Sequence, residues 1–165
     1  MNRFIIAVYV ENKTGVLTRV TGMFTRRGFN IDTLTVGETE RKEYSRITIS
    51  MQGDERVREQ IVNQLKKLYV VKRVEVLEED SIKRELMLIK IQNQASQRSD
   101  IMTAVDVFRA SVIDYSNDGM CIEVTGNPSK IDAFVKLMEP FGIIEMCRTG
   151  VVALERGSAN LFNKE

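Results

Sequence analysis

The chain has no histidine and no tryptophan, and only two cysteines and two prolines among its 165 residues. Without histidine it lacks the commonest general base near neutral pH and the commonest metal ligand. Cys121 and Cys147 stand alone in apolar runs, with no CxxC or comparable spacing, which argues against the usual zinc frameworks. No apolar stretch approaches the roughly 20 residues of a membrane-spanning helix. An excess of one charge is also missing: 24 basic side chains face 23 acidic ones, leaving no broad electrostatic footprint for nucleic acid or an anionic membrane. Met1 runs into the strand-like Phe4-Ile5-Ile6-Ala7-Val8-Tyr9-Val10, too short for a signal-peptide core with its cleavage site. A reducing cytoplasm is the expected compartment. The phosphate-binding and hydrolase signatures GxGxxG, GxxxxGK[ST], GxSxG and HExxH are absent too.

What is present is a repeated plan. Phe4–Val10 is short, apolar and β-branched, hence a strand. Turn residues through Gly15 lead to Val16, Leu17, Val20, Met23 and Phe24 at helical spacing, and Gly28 suits the residue just past a helix end. Ile31–Val36 alternates as a second strand, a charged loop Glu38–Glu43 follows, and Arg46–Met51 is a third. Val57, Ile61, Leu65 and Leu68 form the stripe of a helix that Asp54 can cap, and Val70–Leu77 is a fourth strand. The pattern then restarts. Arg3 with Glu11-Asn12 matches Arg84 with Gln92-Asn93 at an offset of 81 positions. Strands fit Leu86–Ile91, Ser111–Tyr115, Met120–Thr125 and Ile143–Arg148, and helical stripes fall at Ile101, Val105, Phe108 and at Ile131, Phe134, Val135, Met138.

The predicted fold is α+β: two tandem ferredoxin-like βαββαβ sandwiches, each an antiparallel sheet with two helices on one face. The expected divisions are 1–78 for the first domain, 79–82 for an acidic linker, 83–157 for the second domain and 158–165 for a flexible tail. In the strand order 4-1-3-2, Cys121 and Cys147 flank the first strand of the second sheet about 10 Å apart, beyond the roughly 7 Å reach of a disulfide. They are read as free thiols packed in the core. The same order leaves Ile31, Asp32, Thr33, Leu34, Thr35 and Val36 as an edge strand with unpaired backbone groups, and a homodimer through that edge is expected.

The candidate site is the turn Asn12-Lys13-Thr14-Gly15. The first N–H groups of a helix lack internal partners and carry the positive end of its dipole, which suits a carboxylate or phosphate. Gly15 either admits a ligand close to the backbone or simply serves the turn. Asn30, opening the edge strand with Ile31, either meets a ligand's polar end or tolerates an unusual backbone conformation. In the second copy Ser96 stands at the counterpart of Gly15, inside a longer polar loop, Asn93–Asp100. The stacking aromatics of an RNA-binding sheet are missing from Ser45–Ser50.

The blocks Glu11–Val20 and Phe24–Val36 resemble the ACT domain of the regulatory (small) subunit of acetohydroxyacid synthase, also called acetolactate synthase. The similarity continues through Arg84–Lys90 to Arg148-Thr149-Gly150-Val151-Val152-Ala153-Leu154-Glu155-Arg156-Gly157. The resemblance implies a non-catalytic homodimeric regulator of branched-chain amino-acid biosynthesis. Such a regulator activates the catalytic large subunit and confers feedback inhibition by valine or a related amino acid. It implies an effector held between two first domains, by Asn12, Gly15, Val16 and Leu17 on one side and Asn30 and Ile31 on the other. In this assignment the N–H groups at Gly15–Leu17 take the carboxylate, Asn12 or Asn30 helps hold the ammonium, and Val16, Leu17 and Ile31 form the apolar pocket. No cofactor or metal is expected on this chain; thiamine diphosphate, magnesium and FAD would reside on the catalytic subunit. The alternative is an amino-acid-sensing ACT regulator of a different biosynthetic enzyme, and a structural or RNA-binding ferredoxin-like protein is a third reading.

Overall fold

A computed structural model describes residues 2–160; residues 161–165 of the expected tail lie outside the described residues. The chain divides into two compact units. One comprises residues 2–82 together with 151–160; the other is Lys83–Gly150. The expected second domain ended at 157, so the far boundary differs, for a reason given below.

The first unit runs β1 (Asn2–Glu11), α1 (Val16–Arg27), β2 (Thr33–Glu38), β3 (Tyr44–Gly53), α2 (Glu55–Lys66) and β4 (Val71–Val76). Its sheet order is β2-β3-β1-β4, all antiparallel, so β2 lies at an edge. The edge strand begins and ends two residues later than Ile31–Val36: Asp32 donates its N–H to Ser50, but regular pairing starts at Thr33. Alternation along the strands decides what is buried. Ile6, Val8, Val10, Ile47, Ile49 and Met51 face Val20, Phe24, Ile61 and Leu65 of the two helices in one core, which puts both helices on the same face. Each such side chain contributes roughly 1.5–3 kcal/mol by leaving water. Gly28 ends α1 in the left-handed conformation, and the Asp54 side chain caps α2 by accepting the Val57 N–H.

The opposite face of β1 is apolar as well, because Ile5, Ala7 and Tyr9 alternate with the core residues. A strand apolar on both faces needs cover on both. Val151 and Ala153 supply it, packing with Ile5, Ala7, Tyr9 and Leu77, and Tyr44 joins the cluster. The segment forms β9 (Val152–Leu154). Polar ties fix it: Arg46 donates from Nη2 to the Ala153 carbonyl at 2.6 Å, the Glu78 N–H donates to Glu155, and Arg156 donates to the Asp80 carbonyl. Residues beyond Gly150 therefore belong with the first unit.

The second unit repeats the plan with β5 (Ile82–Gln92), α3 (Arg98–Val107), β6 (Ser111–Tyr115), β7 (Gly119–Gly126), α4 (Pro128–Met138) and β8 (Ile143–Arg148), its strands lying in the order β6-β7-β5-β8. The offset of 81 holds in backbone detail. The pairing irregularity at Tyr9/Val10 recurs at Lys90/Ile91. The helix-end bond from Phe29 N–H to the Phe24 carbonyl recurs from Ala110 to Val105. Both thiols are free, and β7 and β8 flank β5 as expected. Their reading as core residues is corrected: Cys121 is half-buried and Cys147 exposed. Cys121 sits opposite Lys90, and Cys147 opposite Leu88 rather than the buried Ile89, so the pleat turns both away from the helices. Among the described residues no helix is long and apolar enough to cross a membrane.

Candidate functional site

The turn after β1 is held from three sides. The Glu11 N–H donates to the Val70 carbonyl, and Lys72 and Lys13 hydrogen-bond its carboxylate, holding it below the usual carboxylate range. The Asn12 N–H donates to the Glu43 carbonyl at 2.8 Å, and its side-chain Nδ2 donates to the Lys42 carbonyl at 3.1 Å and to Glu38. Asn12 thereby clamps the strand end to the loop between β2 and β3. Gly15 follows at φ +83°, a conformation that side chains disfavour, and a Cβ built there would meet nothing within 4 Å. The backbone conformation calls for glycine here, and the space above it is open. No side chain caps α1; its ladder opens with the Arg19 N–H on the Gly15 carbonyl.

The sequence-predicted residues divide by position. Gly15 and Leu17 are exposed at the start of α1, Leu17 with 41 % of its surface accessible. Val16 is 5 % exposed within the helix–sheet core, so its side chain is spent on packing and cannot line a surface pocket. Its N–H also leans on the Lys13 carbonyl at 3.3 Å. Asn30 is exposed, while Ile31 packs partly against the core. These two lie past the other end of α1, whose 12 residues span about 18 Å at about 1.5 Å each. Within one chain the two halves of the predicted site are therefore a helix length apart. Glu38 and Lys42, which hold Asn12, were not foreseen; the charged loop gave no periodic signal.

The second unit keeps the clamp but fills it. Asn93, at the Asn12 position, donates its N–H to the Asp118 carbonyl and its Nδ2 to Ser116, while its Oδ1 accepts from Arg98 at 2.9 Å. Gln97 occupies the N-cap position of α3 at φ −106°, without a side-chain cap bond, so the left-handed turn is gone. Among the described residues no three Cys, Asp or Glu side chains gather to hold a metal ion.

Comparison with known proteins decides what this repeated architecture belongs to. Residues 6–73 match the family described as AHAS small subunit-like ACT domain, and residues 84–157 match the small subunit of acetolactate synthase. The chain belongs to the acetolactate synthase small-subunit family. It is 50 % identical over 153 residues to the probable acetolactate synthase small subunit of Archaeoglobus fulgidus, covering 93 % of this chain and 96 % of that one. It is 49 % identical to the acetolactate synthase small subunit of Mycobacterium bovis, over 92 % of this chain and 91 % of the relative. The crystal structure of the acetolactate synthase small subunit of Thermotoga maritima superposes with a TM-score of 0.89 at 37 % identity, covering 96 % of this chain and all of that one. The small-subunit family is one of regulatory subunits in branched-chain amino-acid biosynthesis, and its ACT module coincides with the unit that carries the open turn at Gly15.

Proposed function

We propose that the chain is the regulatory partner of an acetolactate synthase catalytic subunit in the cytoplasm, raising its activity and conferring feedback inhibition by valine or a related branched-chain amino acid. The observation that carries the reading is the turn at Gly15: a left-handed glycine with open space above it, opening a helix that no side chain caps, in the ACT module of a small-subunit family member. The N–H groups at the start of α1 receive the effector carboxylate. Asn12 has its Nδ2 engaged, so its Oδ1 faces the ammonium. Leu17 from one copy and Ile31 from another flank the side chain, with Asn30 completing the polar end. Because Asn30 and Ile31 lie a helix length from Gly15, the pocket closes only when two ACT modules meet, and the exposed edge of β2 is where they meet. Thiamine diphosphate, magnesium and FAD belong to the catalytic subunit in this reading.

The test is a calorimetric titration of the chain with valine, leucine, isoleucine and alanine, repeated on Gly15→Asp. Saturable heat with a branched-chain amino acid, absent with alanine, is expected. Gly15→Asp puts a carboxylate where the effector's would sit, and its affinity is expected to fall at least tenfold, the loss of about 1.4 kcal/mol. A reconstituted holoenzyme that stays fully valine-sensitive with Gly15→Asp removes this site.

A further inference from the structure

The cover on the outer face of the ACT sheet connects to the effector turn. Val151 and Ala153 are buried, at 2 % and 5 % exposure, while Val152 and Leu154 between and after them are exposed, so the segment lies on the sheet by one face. The carbonyl of Ala153 accepts from Arg46. Arg46 stands opposite Tyr9 on β1 and opposite Gly37 on β2, and so sits where the hairpin meets the centre of the sheet. Tyr9 donates its hydroxyl to Glu40 at 3.0 Å, and its ring lies 5.6 Å from that of Tyr44. Glu40 and Tyr44 bound the loop whose Lys42 and Glu43 carbonyls hold Asn12. Strand pairing, a ring contact and hydrogen bonds thus lead step by step from Ala153 to the turn.

We infer that residues 151–156 are a latch on the effector module, and that Arg46 is the positioning residue through which the latch holds the 39–43 loop and with it Asn12. The inference rests on the effector reading only for its consequence on affinity; the mechanical coupling stands on the contacts themselves. Releasing the latch frees Arg46, loosens the loop and weakens effector binding. Reciprocity then requires that effector binding tighten the latch. A partner that draws residues 151–156 off the sheet would lower effector affinity without touching the pocket.

The experiment is hydrogen exchange on the full chain, with and without valine, read at residues 39–44 and 151–154 and paired with valine titration. Ala153→Asp buries a carboxylate against Ile5 and Ala7 and releases the latch; Leu154→Asp, on the exposed side, is the control. Expected in Ala153→Asp is exchange at 39–44 faster by roughly tenfold, with a weaker valine affinity, while the control keeps wild-type values. Arg46→Met keeps the apolar stem and removes the donor, so it tests the path where Ala153→Asp fails to fold. Arg46→Lys, which keeps a donor, is expected to restore part of what Arg46→Met loses. Valine is expected to slow exchange at 151–154 in the wild type. Wild-type exchange at 39–44 in folded Ala153→Asp or Arg46→Met overturns the latch. If the wild type binds no amino acid, the effector reading fails instead, and the exchange at 39–44 still decides the coupling.

Discussion

At the scale of single residues, the two modules solve the same helix ending with different chemistry. Gly28 and Arg109 are 81 positions apart, and both end the first helix of their module at positive φ, +68° and +52°. Each donates its N–H three residues back, to Thr25 and Asp106. Glycine takes this conformation without penalty, whereas a side chain costs about 1–2 kcal/mol there. The Arg109 side chain is exposed. Arg109→Gly is expected to stabilise the chain by about 1 kcal/mol, the strain relieved less the added freedom of the unfolded chain. Urea unfolding should show a higher midpoint with an unchanged slope; an unchanged or lower midpoint would mean that Arg109 is held by contacts that compensate.

At the scale of elements, most of the fold was legible because helices and strands announce themselves by period. Val16, Val20, Met23 and Phe24 spaced a helix, and the 81-residue offset transferred the plan to the second half. What was not legible was the latch. Val151-Val152-Ala153-Leu154 was assigned no element of its own from the sequence, because its alternation means something only against a second surface. The hint lay in β1, whose unbroken apolar run from Phe4 to Val10 demanded cover on the face the helices leave open. Charge pairs were illegible for the same reason. Glu85 on β5 is 3 % exposed and is held by both Nε and Nη2 of Arg148 on β8, 63 residues away, while Nη1 reaches Asp132. These carboxylates, Glu85 foremost, raise the Arg148 pKa. Removing one partner strands the buried carboxylate, so Arg148→Met is expected to cost about 3 kcal/mol. Pairing it with Glu85→Leu removes the stranded charge and should recover most of that loss. Equilibrium unfolding of both variants checks this; equal losses in single and double variants would show that the pair's cost lies in packing, not charge.

At the scale of the whole molecule, the candidate site was legible only by half, because composition and period describe one chain and the proposed pocket draws on two. Asn12 and Gly15 lie at one end of α1 and Asn30 and Ile31 past the other, so the proposed function makes effector binding and self-association one linked equilibrium. Val36 is 42 % exposed on β2, the edge strand of its sheet. A lysine there is the kind of charge with which natural edges discourage pairing. Val36→Lys is expected to weaken self-association at least tenfold in sedimentation equilibrium and to weaken valine binding in parallel, although it is not part of the Gly15 turn. Val107→Lys, at an exposed position ending α3, should change neither. Valine, binding only the associated form, should tighten the wild-type self-association by mass action. A wild type that sediments as a monomer at micromolar concentration with valine present would separate the two halves of the pocket for good, and effector binding would then have to be rebuilt on Asn12 and Gly15 alone.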